Sequence, residues 1–204
     1  MSVRTFALVA LACAVSTIAA RAADPRYPNW PCAQAKVPEI SLAAVWAGPA
    51  LDDAETRWKE DSKVSALVSR LAARKTPLDE AEKSAKEFLA GSAADKTSNA
   101  KLLFAGLFDT LNAQRSQVMS GLERVSRKQR EAADKIREET IQLQALQDAT
   151  PRDDSKVDAL SNQLLWETRI FEDRRKVVRF VCEVPTTIDQ RLFALGRVIQ
   201  QEME

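Results

Sequence analysis

The chain of 204 residues contains no histidine. That excludes serine–histidine and cysteine–histidine nucleophile systems, the usual zinc sites and c-type haem attachment. Glycine is scarce at five residues, and none sits in a phosphate-cradling loop or at the centre of a calcium-loop pattern. Neither sign of charge dominates, with 30 Lys and Arg against 29 Asp and Glu. Such a balance points away from nucleic acid and from a strongly membrane-seeking surface. No paired acid–base constellation stands out. The sequence therefore predicts a protein that is not an enzyme and takes no cofactor or metal.

What the N-terminus does have is an export pattern. Arg4 gives a positive start, residues 6–20 are uncharged and mostly small and apolar, and Ala20-Arg21-Ala22 offers small residues at a cleavage site. Residues 1–22 read as a secretory signal peptide, and the run is shorter than the ~20 apolar residues that span a bilayer. The expected address is the periplasm, with no stable membrane insertion once the signal is removed. A lipid anchor at Cys13 is the alternative. Removing Arg4 and Arg21 leaves 28 basic residues against 29 acidic ones, a net charge of −1.

Export also gives the remaining cysteines a meaning. Cys32 and Cys182 are an even pair in an oxidising compartment, so a disulfide is expected between them. It would close a loop of about 150 residues and contribute up to about 5 kcal/mol through chain entropy.

Residues 23–40 carry Pro25, Pro28, Pro31 and Pro38 around Tyr27 and Trp30. Proline removes backbone donors and favours extended chain, so this segment predicts a strap lying across helices. Residues 41–97 predict short helices. Ser41 caps the first, Asp52 and Glu55 form a capping pair for a helix over 53–74, and Thr76-Pro77 starts another.

Residues 98–204 predict a long helical hairpin. A seam runs Phe104, Phe108, Leu111, Arg115, Val118, Leu122, Val125, Gln129, Ala132, Ile136, Glu139, Leu143, Leu146 in alternating steps of four and three. That is a coiled-coil pattern. Thr150-Pro151 breaks it. A returning seam carries Val157, Leu160, Leu164, Glu167, Phe171, Arg174, Val178 and Val181. Pro185 is expected to break this leg, with Thr187 and Gln190 capping a last helix. In an antiparallel register whose opposed numbers sum to about 303, Leu146 meets Val157, Gln129 meets Arg174 and Cys182 meets Gly121. Gly121 would then let the strap approach closely. Wide apolar faces near residues 102–111 and 192–199 need further partners. The fold class is thus all-α: a helical-bundle base with a long antiparallel two-helix coiled-coil hairpin, bare from about Val125 to Val178.

Three features of the arm are candidates for binding. Trp166, Ile170 and Val177, spaced by four and seven, form an outward apolar stripe beside the seam, a pattern of partner or dimer surfaces or simply the shoulder of the seam. Arg124, Arg127, Lys128 and Arg130 face Arg169, Arg174, Arg175, Lys176 and Arg179 across the hairpin. This band suits an acidic partner or membrane phosphates, or is a solvated flank interleaved with Glu123, Glu131, Glu172 and Asp173. Asp148, Asp153, Asp154 and Asp158 at the tip read as helix capping and a solvated turn, with a weak hard-cation site as the alternative. The expected partner surface is Trp166, Ile170, Val177, Arg127, Arg130 and Arg175, and it would take an unidentified protein or a second copy. Two functions follow: a non-catalytic interaction or scaffold module, or a chaperone-like holder of unfolded clients.

Overall fold

A computed structural model describes residues 24–91 and 95–204. The expected signal peptide and Cys13 lie outside the described residues. Seven helices follow one another: α1 Leu42–Val45, α2 Ala54–Arg57, α3 Ser62–Ala72, α4 Leu78–Ala90, α5 Lys96–Asp148, α6 Asp154–Val181 and α7 Glu183–Gln201. No strand occurs among the described residues. The expected all-α architecture is present: α5 pairs with α6 and α7, while α3 packs on α5 and α4 on α7.

α5 is 53 residues long, about 80 Å at 1.5 Å per residue. Its lower third is the centre of the core. Leu103, Phe104, Leu107 and Leu111 are fully buried with Leu192, Leu195 and Ile199 of α7, and with Leu71 and Leu89 of α3 and α4. Trp46 stacks on Phe104 at 4.3 Å between ring centroids. Two glycines permit this density. A Cβ on Gly106 would stand 2.6 Å from Val68 and 2.9 Å from Trp58, and one on Gly196 would stand 2.9 Å from Phe104. These wide apolar faces of α5 and α7 are what the short helices cover.

Local starts and stops differ from the expected ones. The helix expected over 53–74 is two, because Asp61 caps α3 by accepting from the Lys63 and Val64 amides. Asp52 has φ of +50° and caps nothing. Thr76 does not cap α4; its hydroxyl donates to the Arg70 carbonyl at the end of α3. Arg191 also donates to the Leu71 carbonyl at 2.6 Å, serving the same helix end. Its side chain is partly desolvated, which lowers its pKa.

The break in the return leg lies at Cys182, not at Pro185. Pro185 falls in the first turn of α7, where a backbone N–H has no intrahelical acceptor and proline costs little. Thr187 donates back to the Glu183 carbonyl instead of capping. The antiparallel pairing of the two legs continues through this point. Gln129 pairs with Phe171, Lys135 with Glu167, and Arg115 with Asp189, and each pair is within a few residues of the expected sum.

Among the described residues Arg115 is the one deeply buried cation, 3% exposed. Its Nε lies 2.7 Å from Asp189 Oδ1 and its Nη1 donates to the Pro38 carbonyl at 3.1 Å. Burial raises the Asp189 pKa, opposed by the pull of Arg115. One side chain thus joins α5, α7 and the proline-rich segment.

That segment is held by the expected Cys32–Cys182 disulfide. It does not cross the helices but runs lengthwise along them. Arg130 donates to the Pro28 carbonyl at 2.7 Å and to Asn29 Oδ1. Lys36 meets Glu123 at 2.6 Å, and Pro38 meets Arg115. The contacts descend α5 from 130 to 115 as the strap ascends from 28 to 38. Its upper part is not extended either. Tyr27 N donates to the Asp24 carbonyl and Trp30 N to the Tyr27 carbonyl, two successive turns with Pro25 and Pro28 at their second positions.

Candidate functional site

Successive helix residues are 100° apart, so the neighbours of a seam residue fall on opposite flanks of the hairpin. Leu122 is a seam residue; Glu123 after it meets the strap, and Gly121 before it does not. Gln129 is the next polar seam residue; Arg130 after it meets the strap, and Lys128 before it does not. On the return leg Cys182, just after Val181, carries the bridge. The strap therefore covers one flank of the hairpin over 115–130 of α5.

The other flank is an open groove of about 700 Å³. Its floor is Val118, Leu122, Val125, Val177, Val178 and Val181, and its rim carries Arg124, Lys128 and Arg174. No strap residue and no carboxylate lines it. Val177 remains largely exposed and Val125 partly so. Gly121 lies here, and a Cβ on it would approach only Arg124 Nη2, at 3.8 Å. The expected role of Gly121, admitting the strap, is thus not what the geometry gives: the strap passes on the far side.

The two polar seam positions meet as neighbours without bonding each other. Gln129 Nε2 donates to the Phe171 carbonyl at 3.0 Å, while its Oε1 is buried with no hydrogen-bond partner. Gln129 and Arg174 both border the groove. Higher up, Glu139 and Glu167 do more than reach out to solvent. Glu139 is buried and accepts from Gln163 at 2.8 Å, and Lys135 lies 2.7 Å from Glu167 and 3.5 Å from Glu139. The Lys135 hydrogen bond lowers the Glu167 pKa. This cluster locks the arm's register.

The expected partner surface is divided by the strap and the groove. Val177 lines the groove. Trp166 is exposed on a separate hollow with Leu165, Arg169 and Glu172, and Ile170 is half-buried. Arg127 and Arg175 are exposed but outside the lining. Arg130 is spent on the strap. Three cations of the wider basic band, Arg124, Lys128 and Arg174, take the rim instead. The sequence held the signal for this division: a bridged Cys182 one residue past Val181 assigns the strap to one flank and frees the other.

Two of the four tip carboxylates, Asp153 and Asp154, are engaged in a cap and in ion pairs. Asp153 accepts from the Lys156 amide, which lowers its pKa, and Arg152 lies 2.8 Å from Asp154. No cluster of three or more metal-ligating side chains occurs among the described residues. No described helix is long and apolar enough to cross a membrane.

Fold and groove together define an all-α protein with a helical-bundle base and a two-helix arm strapped on one flank. We find no family model, curated protein or solved structure that matches the chain.

Proposed function

We propose that the chain is an exported, non-catalytic interaction module that presents its hairpin arm to another protein. The observation that carries this reading is the inequality of the arm's flanks. One is covered by the chain's own strap. The other keeps an apolar floor open to solvent, rimmed by Arg124, Lys128 and Arg174. A two-helix coiled coil leaves such a floor accessible until a third element covers it. Export is supported by the signal pattern of residues 1–22 and by a bridge of the kind found chiefly in oxidising compartments.

A photo-crosslinking amino acid at Val177 tests the reading in exporting cells, with Ile141 as control. The two sites are equally open, 59% and 61% exposed, but only Val177 lies in the groove. Discrete adducts from 177 and none from 141 are expected. Absence of adducts from 177, or the same adducts from both, would sink the proposal.

A second reading rests on Leu165, Trp166 and Phe180, which are exposed outside the groove. Scattered apolar side chains suit a chaperone-like holder of unfolded clients. Suppression of aggregation of a denatured client, undiminished by Val177→Glu, would favour that reading over the first.

A further inference from the structure

The groove's shape and charge say more about its occupant than that it is a protein. From Val118 to Gln129 the lining spans eleven steps of α5, about 16 Å or three helical turns. A trough between two helices packed in coiled-coil fashion matches the width of a third helix seated on the same seam. Arg124 and Lys128 are four residues apart on α5, and Arg174 faces them from α6. None of the three is paired with a carboxylate among the described residues, whereas neighbouring Lys176 is held by Asp173 at 3.0 Å. Cations on both rims of an apolar floor select an occupant with acidic flanks.

Resting on the interaction-module reading, we infer that the unstrapped groove docks an amphipathic helix of about three turns with an apolar stripe and glutamate or aspartate on both flanks.

A second copy of this chain fits poorly. The outward residues of α6 continue the stripe in steps of four and three: Trp166, Ile170, Asp173, Val177, Phe180. Pairing two such stripes antiparallel about a twofold axis sets Asp173 against its own copy. It also brings one basic band against another. Like charges so placed oppose association. A groove that repels its own kind and attracts acidic helices stays free for a different partner.

The test uses the full mature chain and two fluorescent helical peptides with identical leucine stripes, one flanked by glutamate and one by lysine. The glutamate peptide should bind at least about tenfold more tightly, weakening as salt rises, because exposed charge pairs are screened. Arg124→Glu with Lys128→Glu should reverse the preference. Arg127→Glu with Arg175→Glu, outside the groove, should leave it in place. Thermal melts of each variant establish that it is folded. Equal binding of both peptides, or equal loss in both double variants, overturns the inference. So does a dimer in sedimentation that Val177→Glu dissolves, which would make the occupant a second copy. Capture by phosphatidylglycerol vesicles that is lost with Arg124→Glu and Lys128→Glu, with no peptide selectivity, would make it a membrane surface. Adducts from position 177 alongside failure of the acidic peptide would leave the interaction module standing and remove only the acidic helix.

Discussion

The base and the arm are built from the same two legs of chain, yet they are held by different means. In the base, α5 and α7 are wrapped by short helices, and side chains such as Phe104, Leu195 and Ile199 lose all contact with water. In the arm, one seam does the work. Val157 and Leu164 are buried, but Leu143, Leu146, Leu160 and Phe171 are only half-buried. The arm makes up the difference with polar ties: the Lys135, Glu139, Gln163 and Glu167 cluster and the strap. Stability is thus concentrated at one end of the molecule, and apolar surface is left available at the other. The contrast fits a rigid mount carrying an adaptable arm.

Four measurements bear on that contrast. The largest effect is expected from Leu195→Ala, which empties a fully buried site in the base. It should cost about 3–5 kcal/mol in chemical denaturation, the range for poorly collapsing cores. Next is Cys32→Ser with Cys182→Ser. Removing the bridge should cost about 2–4 kcal/mol, and amide exchange should quicken along residues 123–130 of α5, where the strap is anchored. Unchanged exchange there would mean that the strap holds without its bridge.

Leu160→Ala, at a half-buried seam position of the arm, should cost about 1–2 kcal/mol, below the fully buried range. A loss equal to that of Leu195→Ala would erase the distinction between the two regions.

The smallest effect is one of pH. The Glu167 pKa is lowered by Lys135 from an ordinary 4.5. Its ionised form therefore favours the fold above that value, and the contribution fades as pH falls through the lowered pKa. The Asp189 pKa is raised by burial, so its contribution has the opposite sign, present at low pH and lost as pH rises. Acidification should thus weaken the Lys135–Glu167 tie while sparing Asp189, read by amide exchange around each site at pH 3 against pH 6. Glu167→Gln should lessen the arm's response, and an unaltered response would remove Glu167 from the account.

Much of this was legible in the chain itself. Alternating steps of four and three along α5 and α6 yield the hairpin and its register, because a seam is a one-dimensional pattern. The disulfide follows from cysteine arithmetic and the export signal. Helix ends were less legible. Asp52, Thr76 and Thr187 have the chemistry of caps, but tertiary packing and local backbone sent their side chains elsewhere, while Asp61 took a capping position with no marked pattern. The candidate site was half legible. Charge composition shows a basic band, but only the path of the strap decides that Arg130 is consumed and that Arg124, Lys128 and Arg174 are left over.

The single-residue break at Cys182 has a mechanical consequence. It falls where the arm meets the base, the natural place for the return leg to bend under load. The strap is fastened above that joint at Arg130, below it at Arg115 and on it through Cys32. It acts as a splint. A load on the arm reaches the base along three members, the unbroken α5, the return leg and the strap, so the joint can be interrupted without becoming a hinge.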